Sequence, residues 1–476
     1  MKVILEPGDY RVTWEFPDQE GRIHELDGEV ELAADRMPRA TVFGDIPTVW
    51  TDVEKGKSAA FPQIYEEKLV VGRLANGRHI GLVDVTVEVW LPERARLRAR
   101  AALVGNTRPP GPGITVTGVE VQVEGLDSVA GSGPIKSLAL PIPKPNGKRY
   151  LDWSWTATGN AESTQLWTDE KCEVELQFYN SFTSPNAFIF QVSFQPVILM
   201  TFHEPVPFDR TFTEWIEPLR RLISLSTGNR ERLTFLALTV EGDQDGTHSF
   251  QIYGTALHQC PYSSQKPSHG QSKPTFHLAP EDMSLLALLR RWQELSAEHH
   301  PLLETYASLM YAPDQHPRSA FLLLLQALEG LHGFETREVF KARSEGLARR
   351  REVALTEAEE AGLSVETMKF LRQNVSKSPR TSLDEALQFV LSSVPVDVLP
   401  ALEKSELIRQ VMSDVRQPKR VVDCLRIVRN DLAHGTRGYD AEGLHDVVSL
   451  LDGVVRAHFL RILGCSSAAQ LAAQEP

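Results

Sequence analysis

The sequence predicts an α+β protein of at least two domains, in which a β-rich N-terminal domain precedes an all-helical bundle. A chain of 476 residues is longer than one hydrophobic core usually supports, so two domains are expected and three are possible. Apolar and polar residues alternate in short runs up to about residue 205, whereas from about residue 280 the apolar residues recur at helical spacing. We therefore expect a β-rich domain at residues 1–275 and a helical domain at residues 276–476.

The strand prediction rests first on a hairpin. Residues 68–74 and 79–90 flank the pair Asn76-Gly77, and Asn-Gly between apolar runs favours a tight turn. Three further segments alternate cleanly, at residues 114–123, 172–178 and 188–194. Many short strands of this kind favour a sandwich-like fold or a closed sheet.

The region before the helical domain mixes helix, strand and loop. Residues 209–225 have helical spacing, and strands are predicted at residues 233–241 and 249–257. Residues 258–273 are rich in Ser, Gln, Pro and Gly, which is typical of a surface loop or a domain linker.

The helical domain is predicted to surround residues 317–331, which are apolar nearly all round, as in a central buried helix. The last helix is expected at residues 441–463, because Asp440 is a good N-cap and Tyr439 and Leu444 occupy the staple positions beside it. The other predicted helices are residues 281–297, 365–372, 382–391, 399–415 and 419–434.

The composition and the charge of the chain argue against several classes of protein. The net charge of -13 argues against a chain that coats nucleic acid non-specifically, although a local basic site stays open. The sequence has no apolar run near the roughly 18 residues of a membrane span, and its N-terminus is not a signal peptide. The widely spaced cysteines suit a reducing cytoplasm. We therefore expect a cytoplasmic protein without membrane contact.

The candidate site lies on the predicted helix that ends at His434. Its buried stripe recurs at four-three-four spacing, at Val421, Leu425, Val428 and Leu432. Asn430 and His434 lie roughly opposite this stripe, with Arg426 close to them. Arg429 lies on the flank, and Gly435 is well placed to end the helix. A histidine in the last turn is favoured as imidazolium by the helix dipole.

Residues 429–434 read Arg-Asn-Asp-Leu-Ala-His, and this hexapeptide, late in a helical domain, resembles the Arg-(four to six residues)-His signature of HEPN domains. Residues 321–332, which end in Gln-Ala-Leu-Glu-Gly-Leu-His, resemble the helix that precedes this signature in ApeA-type HEPN proteins. A β-rich N-terminal domain of this size also fits the ApeA architecture. The resemblance extends in detail over roughly residues 280–465 and is architectural before them.

This resemblance implies metal-independent cleavage of RNA, without a cofactor. His434 would act as general acid or base on the ribose 2′-hydroxyl or the leaving oxygen. Arg429 would hold the scissile phosphate and neutralise its developing charge. Asn430 would be a positioning hydrogen-bond partner, whereas Asp431 matches a variable position. Because the 2′-hydroxyl is the internal nucleophile, the substrate would be RNA.

The spacing of the motif creates a geometric difficulty. Arg429 and His434 are five residues apart, so on a regular helix they point about 140° away from each other. They converge poorly within one chain unless the last turn unwinds at Gly435. HEPN nucleases resolve this by dimerising, so that two motif helices build one shared site. Ile427, an apolar residue on the polar face, is consistent with such a covered surface.

Further polar residues are candidates for supporting roles. Arg426, Arg420 and Lys419 could steer RNA phosphates. Glu329 and His332 lie on one face at i and i+3 and could support the site from behind. In the alternative interpretation, Glu329 is a buried partner of Arg429, and His434 is merely a cap. The charge run at residues 349–351 is more typical of a solvated face.

Two other groups of residues are weaker candidates. A zinc site is suggested by His258, Cys260, His269 and His277, but their spacing fits no strong pattern, so no metal is expected. An aromatic ligand platform is suggested by Trp153, Trp155 and Trp167, although packing in the core of a β-domain is favoured.

The leading interpretation is an HEPN endoribonuclease of a prokaryotic antiviral, abortive-infection defence system. It would cleave host RNA such as tRNA once the N-terminal domain is triggered, for instance by a phage product, and would act as a homodimer or larger homo-oligomer. A freely active nuclease would be toxic, so the β-rich domain would also restrain it. The alternative is an inactive HEPN module that binds RNA, nucleotide or a partner protein, beside a ligand-binding β-domain.

Overall fold

The structure is a computed structural model that divides into two compact units, Met1–Arg290 and Arg291–Pro476. It describes residues 4–17, 22–33, 36–47, 50–54, 56–91, 93–139, 154–157, 163–186, 189–242, 246–254, 273–279, 283–311, 315–376, 379, 382–414 and 420–475. The first unit is rich in strands and the second is helical, which confirms the predicted fold class.

Strands dominate the N-terminal unit. Within the described residues they are β1 Gly8–Pro17, β2 Ile23–Leu32, β3 Arg39–Phe43, β4 Thr51–Val53, β5 Gly56–Ser58, β6 Gln63–Leu74, β7 His79–Leu91, β8 Arg94–Gly105, β9 Thr115–Val123, β10 Ile135–Ala139, β11 Ser154–Ala157, β12 Gln165–Thr168, β13 Cys172–Asn186, β14 Ile189–Pro207, β15 Leu233–Glu241 and β16 Thr247–Gly254. The predicted hairpin is confirmed, because β6 and β7 pair antiparallel around Asn76-Gly77. Gly77 has φ 84, a conformation that glycine adopts without strain.

Six of these strands close into a barrel in the order β8-β3-β2-β1-β6-β7, because β7 pairs back onto β8. Of the two architectures that the sequence left open, the closed sheet therefore forms here. The length of β8 explains how the sheet continues beyond the barrel. Residues 94–98 of β8 pair with β3, and residues 101–105 pair with β16. From β16 an open arm runs β15-β9-β14-β13-β12.

Trp14 is the largest side chain in the hydrophobic core of the barrel. Trp14 of β1 is fully buried and stands opposite Gly72 of β6. A Cβ at Gly72 would lie 2.7 Å from the ring, and one at Gly28 of β2 would also lie 2.7 Å from it. These two glycines are therefore needed for the ring to fit. Because alternate residues of a strand point to opposite faces, the polar residues of the barrel strands lie outside.

The predicted helix at residues 209–225 is present as one continuous helical stretch with a π-helical turn at Phe212–Ile216. The helices of the N-terminal unit are α1 Leu126–Val129, α2 Phe208–Thr211 and α3 Glu217–Thr227. The predicted strand at residues 233–241 is confirmed as β15. Most of the predicted loop, residues 258–272, lies outside the described residues.

The C-terminal unit is built from helices within its described residues. They are α4 Leu285–Ala297, which begins in the first unit, α5 Pro301–Tyr311, α6 Pro317–Glu335, α7 Arg337–Glu360, α8 Val365–Asn374, α9 Leu383–Ser392, α10 Leu399–Lys404, α11 Glu406–Ser413, α12 Val421–His434, α13 Ala441–Ile462 and α14 Ser467–Ala472. The predicted central helix is confirmed as α6, which packs against α5, α9, α12 and α13. Among the helices described, none has the length and apolar character needed to cross a membrane.

Three helical features differ from the sequence prediction. Helix α7 was not predicted, because it has no buried residue and so leaves no apolar stripe. The predicted helix at residues 399–415 is broken at Ser405, where ψ of 144° is extended. Helix α5 was also not predicted. The arginines at residues 349–351 lie on α7, which packs against α8.

Candidate active site

The candidate site is organised by α12, which we call the motif helix. It begins with a capping box, in which the backbone N–H of Arg420 donates to the carboxylate of Asp423 at 3.1 Å. The predicted stripe is buried, at Val421, Leu425, Val428 and Leu432. The helix ends at His434, and Gly435 follows with φ 69, the left-handed conformation expected of a helix-ending glycine.

Arg429 and Asn430 form one polar cluster with Glu329 of α6. The Arg429 guanidinium donates to Asn430 Oδ1 at 3.3 Å and approaches Glu329 Oε2 to 3.7 Å. The side chains of Arg429 and Glu329 are 38% and 48% exposed. The pairing that the alternative interpretation predicted is therefore present, but Glu329 is exposed rather than buried. Among the described residues, the guanidinium is engaged by one weak hydrogen bond and one loose ion pair, which leaves most of its five donors for another partner.

His434 is exposed and lies at the end of the motif helix. The helix stays regular through His434, so the last turn does not unwind to bring the imidazole toward Arg429. In the part of the chain that the structure describes, no hydrogen bond joins these two side chains. The 140° divergence expected from about 100° per residue thus holds within one chain.

The turn after the motif helix is held by Asp431, a residue to which the sequence assigned no role. Its carboxylate accepts from the Thr436 hydroxyl at 2.8 Å and from the Tyr439 hydroxyl at 2.6 Å. These hydrogen bonds lower the pKa of Asp431, whereas burial and the bond to Asp431 raise the pKa of Tyr439. The guanidinium of Arg318, from α6, donates to the carbonyl of Leu432. Both anchors fix the end of the helix that carries His434.

The Tyr439 hydroxyl is expected to stabilise this turn measurably. Tyr439→Phe should lower the free energy of unfolding by about 1 kcal/mol, because it removes one partly exposed hydrogen bond to a carboxylate. Because the pKa of Asp431 is lowered, the stability that its carboxylate contributes is fully present above the ordinary pKa of ~3.9. That stability is lost as the pH falls through the lowered pKa. Urea unfolding at neutral and acidic pH tests this. A difference between wild type and Tyr439→Phe that grows on acidification would contradict it.

The other predicted site residues are engaged elsewhere or lie outside the described residues. Arg426 donates to Asp384 of α9 at 2.7 Å, and Arg420 pairs with Asp423 at 3.2 Å. The ring of His332 lies 5.3 Å from that of Phe389, edge-on, and thus faces α9. Lys419 is not among the described residues. The N-cap role predicted for Asp440 is confirmed, because its carboxylate accepts from the backbone N–H groups of residues 442 and 443.

The candidates for a zinc site and for an aromatic ligand platform lie only partly within the described residues. Among the described residues, no cluster of three or more His, Cys, Asp or Glu side chains could hold a metal ion. His277 hydrogen-bonds the Ser128 carbonyl at 3.1 Å, while His258, Cys260 and His269 lie outside the described residues. Of the tryptophans, Trp167 is buried, as the packing interpretation predicts, Trp155 lies on β11, and Trp153 is not described.

The motif helix therefore presents an exposed imidazole and a loosely held guanidinium on different sides of one rigid helix. An imidazole can transfer protons near neutral pH, and a guanidinium can bind a phosphate through two donors. For the imidazole and the guanidinium to act on one phosphodiester, a second surface would have to bring the two groups together.

The sequence was compared with known proteins. Residues 9–292 match the family model described as ApeA N-terminal domain 1. No curated protein and no solved structure shows significant similarity to the chain. The matched segment spans the barrel, the open arm and the start of α4, and it covers more than half of the chain. The chain therefore belongs to the ApeA family of defence-system proteins.

Proposed function

We propose that this ApeA-type protein is an antiviral effector whose helical unit is an HEPN endoribonuclease. The observation that carries the proposal is the placement of Arg429 and His434. Both side chains are accessible to solvent, on different sides of one helix whose apolar stripe is buried, in a helical unit that follows an ApeA N-terminal domain. Host RNA, with tRNA as the first class to test, is the proposed substrate.

The chemistry follows from these groups. Arg429 binds the non-bridging oxygens of the scissile phosphate and neutralises the charge that grows in the pentacoordinate state. His434 transfers the proton of the 2′-hydroxyl or protonates the leaving 5′-oxygen. Asn430, already hydrogen-bonded to Arg429, holds the guanidinium in position. No metal or cofactor takes part in any of these steps.

The proposed active form is a homodimer through the helical unit. Because Arg429 and His434 diverge on a helix that stays regular to its end, an imidazole from one copy and a guanidinium from the other complete each site. Ile427 is partly buried on the polar side of the motif helix and lies where a second motif helix would pack. In this arrangement the N-terminal unit senses infection in the cytoplasm, through a phage product, and restrains the nuclease until then.

A second candidate function is RNA or partner binding without catalysis. It is favoured by the contact of Arg429 with Glu329, since a carboxylate beside the guanidinium offsets the positive charge that would stabilise a pentacoordinate phosphate. Within the described residues, His434 also has no hydrogen-bond partner to orient its ring. A binding module would keep affinity for RNA but leave the strand intact.

Metal independence and the need for a 2′-hydroxyl test the nuclease directly. The full chain is incubated with labelled tRNA and EDTA, alone and with lysate from phage-infected cells. We expect strand cleavage that leaves a 2′,3′-cyclic phosphate, because the 2′-oxygen is the nucleophile, and no cleavage of a matched strand that lacks 2′-hydroxyls. His434→Ala protein in the same lysate is the control for other nucleases. Cleavage that requires a divalent metal, or no excess over this control in either state, would reject the proposal.

A further inference from the structure

The outer surface of the barrel carries a concentrated row of arginines on β3 and β8. We propose that this surface binds a single-stranded nucleic acid, independently of the nuclease chemistry of the helical unit. The residues concerned, which we call the arginine face, are Arg39, Arg94, Arg96 and Arg98, and all four are exposed.

Strand geometry brings these side chains to one side. Along β8 the arginines alternate with Ala95, Leu97 and Ala99, which are buried in the barrel. Arg98 stands directly opposite Arg39 of β3, and Arg94 stands opposite Phe43. Alternate residues of a strand are about 6.8 Å apart, a spacing comparable to that of successive phosphates on an extended nucleic-acid strand. The face is thus a regular row of cations rather than a scatter.

The carboxylates nearest the arginine face lie on its two flanking strands, where Glu31 of β2 stands opposite Arg39 and Glu88 of β7 stands opposite Arg96. Neither β3 nor β8 contains Asp or Glu, and in the part of the chain described Arg39 and Arg98 form no ion pair. Like charges directly opposite on paired strands destabilise a sheet, and Arg39 and Arg98 stand in this arrangement. In a chain of net charge -13, four arginines against these two opposing carboxylates leave a local excess of positive charge that suits an anionic ligand.

Two exposed aromatic rings flank the arginines. Phe43 is 40% and Trp90 is 49% exposed. The Arg94 guanidinium lies 5.8 Å from the Phe43 ring centre, and that of Arg96 lies 5.9 Å from the Trp90 ring centre. Exposed rings among cations are the combination with which proteins stack unpaired bases while holding the backbone. An acidic peptide would use the charges but not the rings, and a duplex does not expose its base faces.

The boundaries of the face are also defined. An open groove of about 620 Å³ runs across β1, β2, β3 and β8, beside Arg39, Arg96 and Arg98. Glu29 and Glu31 of β2 line its other side, so a polyanion is confined to the β3–β8 side. Arg100, the next outward residue of β8, is taken up by ion pairs to Asp84 and Asp209 and ends the row.

The test measures binding of the full chain to a labelled single-stranded oligodeoxythymidylate by fluorescence anisotropy. A DNA probe has no 2′-hydroxyl, so the result does not depend on the proposed ribonuclease. The double variant Arg96→Ala/Arg98→Ala should weaken binding about tenfold or more and make the slope of log affinity against log salt shallower by about 1.4. Trp90→Ala should weaken binding at least about fivefold with little change in that slope.

Arg73→Ala is the matched control, because Arg73 is an exposed arginine on β6 of the same barrel and lies level with Gly105, at the end of β8 away from Arg94. It should bind as wild type does, and circular dichroism should show every variant folded. The proposal is overturned if wild type does not bind the probe at low salt, or if the double variant and Arg73→Ala lose affinity equally. It is also overturned if polyglutamate or the corresponding duplex competes as well as the single strand, since the surface would then recognise charge alone.

Discussion

Replacing His434 with alanine is expected to lower the rate of RNA cleavage by about 10²- to 10⁴-fold, the usual contribution of one general acid or base. His434 is exposed at the end of the motif helix and makes no hydrogen bond to the described residues. The substitution therefore removes the imidazole without removing a structural contact, and stability should be unchanged. Initial rates on labelled tRNA in the activated state measure the loss.

His445→Ala is the matched control, since His445 is also exposed, on α13, and lies outside the motif. Its rate should equal that of wild type. Arg429→Ala should be impaired to a similar degree as His434→Ala, and Arg429→Lys should recover only part of the rate, because an ammonium lacks the planar pair of donors. Full activity in His434→Ala would leave the non-catalytic function as the better account.

The same two variants address the shared site. If each site takes its imidazole from one copy and its guanidinium from the other, a heterodimer of His434→Ala and Arg429→Ala chains contains one complete site. Mixing two inactive proteins under conditions that allow subunit exchange should then restore cleavage. A mixture as inactive as its components, although exchange is shown by labelled subunits, would reject the shared site.

Phe321→Ala should produce a large loss of stability in the helical unit, about 3 to 5 kcal/mol. Phe321 is 0% exposed and lies on α6, the helix that packs against four others. Removing the ring leaves a cavity that these helices cannot close without moving together. Urea unfolding followed by far-ultraviolet circular dichroism reports the shift, since the helices dominate that signal.

Phe370→Ala supplies the comparison for this substitution. Phe370 lies on α8 and is 62% exposed, so the same change of side chain should alter stability by less than about 0.5 kcal/mol. Equal losses at the two positions would mean that burial at α6 does not determine the stability of this unit.

Much of the fold could be predicted because its pattern is local. The Asn76-Gly77 hairpin follows from a turn signal between two apolar runs, and α6 follows from a run of apolar residues. The closure of the barrel could not be predicted, since it depends on β7 returning to β8 and on β8 changing partners along its length. Helix α7 was not predicted because it buries no residue, so its sequence has no apolar stripe.

The site shows the same division. The buried stripe and the polar face of the motif helix could be predicted from periodicity, and its end could be predicted from Gly435. Asp431 was missed because its partners, Thr436 and Tyr439, approach it only after the chain has turned. A carboxylate just before a helix-ending glycine, with hydroxyl residues after it, is a signal that could have indicated this clamp.

The sequence by itself determined where the strands and most of the helices lie, which face of the motif helix is buried, and which residues are candidates for the chemistry. Those properties depend on spacing between neighbours along the chain. Only the tertiary structure decided that Glu329 is an exposed neighbour of Arg429, that Arg426 is held by Asp384, and that four arginines share one face of a closed barrel. These relations join residues far apart in the sequence, and no local pattern encodes the contacts that long-range packing creates.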